Sequence, residues 1–512
     1  MAYAHDASMY RLVPEAVVRP RDEDEIKSLL TYCRDTHTPV TFRAGGTSLS
    51  GQSITEGVLA ETVQNWEQHE VLNSGKQIRL QPGVIGARAN IYLKPFNRKI
   101  GPDPASINVA RIGGIISNNS SGMVCGVDNN SYHTMDSIRF ILSNGHVYDT
   151  SNQSHYQRFI EMDSVLSDGL RQCKLEIESS QNMVNKIRDK YRIKNTLGYS
   201  LNSFLDYEHP LDIFAHLLVG AEGTLAFISQ VTLNTIPDPP YKTTGLILFE
   251  SVEKAIQTLP IFINEGADAV ELLDDASLRT AHYLKTPPYN PMIIEENMAG
   301  LLFEFQKYDK NSINQLSASI PVELKKVGCD LIFGPTEDDT SRIQLWKLRK
   351  GLYPTVGALR KKGTSVITED LCYDYKDLPE VVKELRIIFQ KWRYDDAVIF
   401  GHAKDGNLHF AASMDLNSSD GVKRFDGLLQ DMVELTVGKF NGSLKAEHGT
   451  GRNMAPFVEY EWGGELYQIM WKIKQIADPD GILNPDVLLT KDQKLHIKNL
   501  KPIPFKRNGF FV

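Results

Sequence analysis

Between Ala397 and Phe410, two apolar, β-branched and aromatic runs flank Asp405 and Gly406. That pattern predicts a hairpin closed by a two-residue turn. Counting outward pairs Lys404 with Asn407, Ala403 with Leu408 and His402 with His409. Directly opposed residues share a face, with Cβ atoms roughly 5 Å apart, and two imidazoles so placed can hold one metal ion. Further along, Glu447-His448-Gly449 supplies a carboxylate as a third possible ligand, beside a third imidazole. Two histidines and one carboxylate leave coordination positions open, as a reactive metal site requires. Thirteen histidines in 512 residues is an ordinary number. The register of the pair therefore carries the argument, and a satisfied core or surface histidine is the alternative for each.

A second set of residues suits an anion. Arg43 to Gln52 is rich in Gly and Ser, and Gly101 to Ser106, Gly113 to Gly126 and Gly220 to Thr224 are further loops of similar character. Successive backbone N–H groups in conformations that glycine permits form anion-binding nests. No Gly-Lys-Ser/Thr follows any of them, so none is a Walker loop, and none is the G-x-G-x-x-G of a simple nicotinamide site. One loop alone would read as a tight turn at a sheet edge. Several in the same half of the chain point to a large cofactor carrying a pyrophosphate.

These residues need elements to position them. Ala16 to Val18 reads as a strand. An acidic helix start at Asp22 to Glu25 follows, with Ile26, Leu29, Leu30 and Cys33 at helical spacing, then a strand from Pro39 to Phe42. This βαβ unit delivers the chain into the first glycine loop. Leu225 to Leu233 is an apolar strand, and Pro237-Asp238-Pro239-Pro240 is a linker. After it come a strand (Thr244 to Phe249), an amphipathic helix (Ser251 to Glu265, closed by Gly266) and another strand (Ala269 to Leu273). With the hairpin near 400, this predicts an α+β domain with an antiparallel sheet. The stretch from about Ala446 to Thr490 reads as mostly helical and includes the loop Asp478 to Pro485.

Composition bounds the partners. Hydrophobic residues make up 41% and charged residues 23%, and 56 basic against 64 acidic residues give a net charge of −8. That argues against nucleic acid as the main partner. No apolar run approaches the roughly 18 residues of a membrane span, and Asp6 and Arg11 interrupt any secretory signal. The five cysteines, Cys33, Cys125, Cys173, Cys329 and Cys372, form no CxxC. They suggest free thiols in a reducing cytoplasm, with no iron–sulfur motif.

Together the glycine loops resemble the FAD-binding domain of the vanillyl-alcohol oxidase superfamily. Gly401 to His409, Glu447 to Arg452 and Asp478 to Pro485 resemble its flavin-linked D-2-hydroxyacid dehydrogenase branch, which includes D-lactate dehydrogenase, D-2-hydroxyglutarate dehydrogenase and the glycolate oxidase catalytic subunit. The resemblance runs from about Ala4 to about residue 490. It implies an α+β protein in which a two-lobed FAD-binding domain (1–238) precedes a substrate or cap domain with an antiparallel sheet (239–445). A helical C-terminal segment (446–512) would pack back on the FAD domain.

The resemblance also assigns roles. FAD falls to Arg43, Gly45, Gly46, Thr47, Ser48, Gly51, Gln52, Pro102, Asp103, Ser106, Gly113, Gly114, Asn118, Gly122, Gly126, Glu222, Gly223, Ile228 and Asn484. His402, His409 and Glu447 take the metal-ligand positions, for a divalent ion with zinc the first choice. His448 takes the position of the base and Arg349 that of the arginine pairing with the substrate carboxylate. Relatives with covalent flavin carry His in the first glycine loop. Thr47 and Ser48 stand there and cannot form that link, so FAD is expected to be non-covalent. The usual Gly before Asp405 is Lys404, which could alter the pocket rim. Long relatives continue into an iron–sulfur domain, and this chain is either a short form or a fragment of one.

The expected reaction is oxidation of a D-2-hydroxy acid, D-lactate first. D-2-hydroxyglutarate or glycolate oxidation, or non-redox ether-lipid synthesis on the same fold, are the alternatives. An external electron acceptor is expected: a quinone, a cytochrome, an electron-transfer flavoprotein or an iron–sulfur protein. A homo-oligomer in the cytoplasm is expected, with peripheral contact at the inner face of the membrane left open.

Overall fold

The computed structural model describes residues 1–329, 331–501, 506–507 and 510–511. The chain forms two compact units. One comprises Met1–Pro237 and Ser443–Leu500; the other is built on Asp238–Gly442. The boundary after Pro237 falls in the proline-rich linker. The expected 446–512 segment runs into residues outside the described ones.

In the first unit, Ala16–Val18 and Val40–Arg43 flank Val58–Glu61 in a three-stranded parallel sheet. The crossover between the outer two is the helix Glu23–Thr36. Asp22 caps it by accepting from Glu25 N–H, and its acidic first turn suits the positive end of the helix dipole. Ile26, Leu30 and Cys33 face inward against Val40, Trp66 and Phe227. A second, antiparallel sheet runs His69–Leu72, Gln77–Leu80, Phe227–Pro237, Met135–Ile141, Val147–Asp149, with Arg98–Ile100 also paired to Phe227–Pro237. The later segment joins this unit through backbone pairing, since Val40 N–H donates to Ile482 O at 2.8 Å and Asn484 N–H to Val40 O at 2.9 Å.

The second unit is a seven-stranded antiparallel sheet. Its order is Ile332–Thr336, Tyr241–Phe249, Ala299–Lys307, Ala269–Asp274, Val398–His402, Asn407–Met414, Ser365–Cys372. Helices cover it, among them Val252–Asn264, capped by Ser251, and Asp339–Lys350, capped by Asp338. Asp274 locks the central register. It accepts from Ile399 N–H at 2.8 Å and pairs with Arg386. Ser277 Oγ adds a bond to Ile399 O at 3.0 Å. The result sets Glu271 opposite His402.

Among the described residues no helix is long and apolar enough to cross a membrane. All five cysteines are buried.

Candidate functional site

The hairpin register differs from the one counted off the sequence. Ala403–Asp405 forms a 3₁₀ turn and Gly406 follows with φ 67°. The connection is therefore longer than Asp405-Gly406, and His402 pairs with Asn407 while Phe400 pairs with His409. A Cβ on residue 406 would stand 1.9 Å from Tyr373 O, so glycine is required there. His402 and His409 still share a face, because residues two apart on a strand point the same way and diagonal neighbours lie within reach. Their Nε2 atoms are 3.4 Å apart.

A carboxylate faces each imidazole, at hydrogen-bond distance for His402. His402 Nδ1 is 2.7 Å from Glu271 Oε1. A carboxylate only accepts, so Nδ1 carries a proton, and in the neutral imidazole Nε2 keeps its lone pair. His409 Nδ1 stands 3.4 Å from Asp370 Oδ1, on the residue paired with it across the sheet. Asn407 holds Asp370 by donating from Nδ2 to Oδ1 at 2.9 Å. One ion, or one proton shared between them, can join the two Nε2 atoms. Two nitrogens on a tetrahedral zinc, at about 2.0–2.1 Å from it, stand about 3.3–3.4 Å apart. The pair fits such an ion.

Arg349 lies on the last turn of Asp339–Lys350 and is buried. Its Nε donates to Glu271 Oε2 at 2.6 Å, and its guanidinium lies 4.6 Å from the Phe400 ring centroid. One and two turns back along the same face, Trp346 and Arg342 both donate to Glu304 Oε2, at 2.7 and 3.0 Å. The helix is therefore fixed in rotation by two carboxylates of the sheet. Lys404, the departure in the hairpin, donates to Asp268 O at 2.6 Å and ties the turn to the start of the Glu271 strand.

The first unit carries Glu447 and His448. Glu447 Oε2 accepts from Ser121 Oγ at 2.9 Å and from Lys194 Nζ at 3.2 Å. The His448 carbonyl accepts from Gln52 Nε2 at 2.8 Å and Asn118 Nδ2 at 3.2 Å. The loop before them is pinned by Glu461, which accepts from Leu444 N–H at 2.8 Å. Thr196 Oγ1 accepts from Gly449 N–H at 3.1 Å.

The expected flavin residues all lie in this unit, and several converge. Asn484 Nδ2 donates to Gln52 O at 3.0 Å and Glu222 O at 2.8 Å. Glu222 in turn accepts from Gly451 N–H. Asp103 accepts from Val124 and Cys125 N–H, and a Cβ on Gly122 would strike Asp103 O. A Cβ on Gly45 would stand 2.9 Å from Val109 O, whereas one on Gly114 would meet nothing within 4 Å. Arg43 lies against Tyr3, with Gly46 packed on its guanidinium. Gly46, Gly51, Gly126 and Gly223 have positive φ. Ile228 stays in the sheet, paired with Phe140. Pro102 is buried, and Thr47, Ser48 and Ser106 are half-buried. Gly113 closes on Pro82. Burial pushes the Glu222 carboxyl up to about 8 and that of Asp103 up to about 6. A mostly neutral Glu222 spares an anionic ligand its repulsion. Open glycine backbone and a neutralised acid suit a pyrophosphate-bearing cofactor.

Glu271, Asp370, Lys194 and Ser121 have no role in the sequence reading. Glu271 leaves one signal, a carboxylate flanked by apolar residues in the buried strand Ala269–Asp274.

Comparison with known proteins bears on both units. Residues 14–151 match the family described as FAD binding domain, and residues 238–488 that described as FAD linked oxidases, C-terminal domain. The chain is 27% identical to a D-2-hydroxyglutarate dehydrogenase of Haemophilus influenzae, covering 96% of this chain and 49% of that protein. It thus spans about half the length of that relative. It is 26% identical to the glycolate oxidase subunit GlcD of Bacillus subtilis, covering 97% and 94%. It is 24% identical to the mitochondrial D-lactate dehydrogenase [cytochrome] of Arabidopsis thaliana, covering 93% and 74%. Its fold matches p-cresol methylhydroxylase with a TM-score of 0.66 at 13% identity, covering 95% and 91%.

Proposed function

We propose that this chain, which belongs to the FAD-linked oxidases in their D-2-hydroxyacid dehydrogenase and glycolate oxidase branch, oxidises D-lactate to pyruvate and passes the electrons to a separate acceptor. The observation that carries the chemistry is the histidine pair, with Nε2 atoms 3.4 Å apart and each Nδ1 turned to a carboxylate.

Bound FAD supplies a hydride acceptor, and a divalent ion, zinc in this reading, supplies a Lewis acid that lowers the pKa of an alcohol. The residues of the chain do the rest. His402 and His409 hold the ion with Glu447 as third ligand. Arg349, steered by Glu271 and Phe400, binds the substrate carboxylate through its Nη groups. His448 accepts the hydroxyl proton, a task suited to an imidazole near neutral pH. Glu447 and His448 join this reading through the family resemblance alone. The glycine loops hold FAD without a covalent link, since Thr47 and Ser48 offer no imidazole. Acid precipitation should release the yellow chromophore, and a flavin left in the pellet would contradict that.

The acceptor is a quinone, a cytochrome, an electron-transfer flavoprotein or an iron–sulfur protein. The test is anaerobic flavin reduction with a panel of D- and L-2-hydroxy acids. D-lactate should bleach the flavin fastest and L-lactate slowly. A faster D-2-hydroxyglutarate or glycolate reaction would move the substrate within the branch. Bleaching by none of them would overturn the reading.

A further inference from the structure

We propose that Glu271 is a positioning residue that sets His402 and Arg349 with one carboxylate. The inference rests on the metal reading above. Both oxygens of Glu271 are committed to donors: Oε1 accepts from His402 Nδ1 at 2.7 Å and Oε2 from Arg349 Nε at 2.6 Å. All three side chains are buried. The backbone enforces the contact, because Glu271 and His402 are direct partners across the antiparallel pair. Asp274, three residues further along the same strand, prevents slippage by binding Ile399 N–H. Arg349 comes from the helix, whose rotation Glu304 fixes through Trp346 and Arg342.

The consequence is a shared constraint. While Oε1 accepts the Nδ1 proton, His402 is held in the tautomer whose Nε2 can bind a metal. While Oε2 accepts from Nε, the two Nη groups of Arg349 stay available, in a plane fixed against Phe400. A ligand-steering carboxylate commonly serves one histidine; here the same group would also orient the arginine.

An amide at this position has one acceptor facing two donors. If its oxygen stays with the charged Arg349, its NH₂ group faces His402 Nδ1. The histidine must then accept there, moving its proton to Nε2 and losing the metal lone pair. Glu271→Gln should therefore weaken zinc about 10–100-fold, the usual effect of removing such a partner, while FAD content is unchanged. The double variant Glu271→Gln with Arg349→Met removes one of the two donors. The amide oxygen can then turn to His402, so zinc affinity should recover most of the loss while KM for D-lactate stays high.

Zinc affinity is read by chelator competition on the full FAD-loaded chain, with D-lactate kinetics run in parallel. Recovery of zinc without recovery of KM supports the coupling. Glu271→Gln binding zinc within twofold of the wild type overturns this proposal and leaves the metal reading standing. A double variant that binds no better than the single one also overturns it. A wild-type chain that binds no zinc overturns both.

Discussion

Glu222 and Glu271 are both fully buried glutamates, one in each unit, and they move in opposite directions. Burial lifts Glu222 to about 8, because its partners are a backbone N–H, the Gln52 amide and a more distant Lys445. Burial pushes Glu271 upward as well, but His402 and Arg349 outweigh it and hold the carboxyl below its ordinary value. Around Glu222 the first unit thus builds from backbone, an amide and a carboxyl that burial favours in its neutral form. The second builds its site from paired charges standing on a sheet. A site of the first kind depends on where glycine lets the backbone go, and one of the second kind on strand register.

The largest effect should come from removing a ligand in the second unit. His402→Ala should empty the metal site and cost several kcal/mol of transition-state stabilisation, on the order of 10³–10⁵-fold in flavin reduction. FAD content should stay near wild type, because the residues proposed to hold flavin lie outside Asp238–Gly442. Elemental analysis with flavin absorbance checks both halves of the claim. Full zinc in the variant would remove His402 from the ligand set, and loss of FAD would show that the variant also disturbs flavin binding.

Next is the first unit's own imidazole. His448→Asn keeps some hydrogen bonding but accepts no proton near neutral pH. Flavin reduction should slow roughly 10²–10⁴-fold with metal content intact. Near-normal rates would assign the proton to another group.

How much of this the sequence shows also differs between the units. The βαβ start was legible from helical spacing and an acidic cap, and the glycine loops from residue type. What composition could not show was Val58–Glu61 entering between the two outer strands. In the second unit the strands were legible, yet the hairpin register was not. A 3₁₀ turn over Ala403–Asp405 displaces the pairing, and nothing in Asp405-Gly406 announces it. His402 and His409 were found because a diagonal pair keeps the face of a direct one. Glu271 and Asp370 reach the site only through long-range pairing, which no local spacing encodes.

A smaller effect should follow from weakening one steering carboxylate. The His409 Nδ1 to Asp370 distance is 3.4 Å, against 2.7 Å for His402 to Glu271. Asp370 therefore steers less tightly. Asp370→Asn should lower zinc affinity by about tenfold, the low end for such partners. Chelator competition checks the ranking, which fails if Asp370→Asn costs more than Glu271→Gln.

The last prediction concerns stability and uses Glu222 itself. Its folded-state pKa, about 8, lies above the ordinary 4.5. Between those values the folded chain keeps a proton that the unfolded chain has released. The stability this contributes is fully present below about pH 4.5, falls as pH rises, and is gone above about pH 8. At about 1.4 kcal/mol per unit, the span is on the order of 5 kcal/mol at most. Glu222→Gln mimics the protonated form and cannot titrate, and its oxygen can still accept from Gly451 N–H. The stability difference, variant minus wild type, should therefore grow steadily from pH 5 to pH 8 in urea denaturation of the flavin-free chain. Parallel profiles would mean that Glu222 is ionised throughout. In that case Glu222 would be charged like Glu271, and the contrast between the two glutamates would fail.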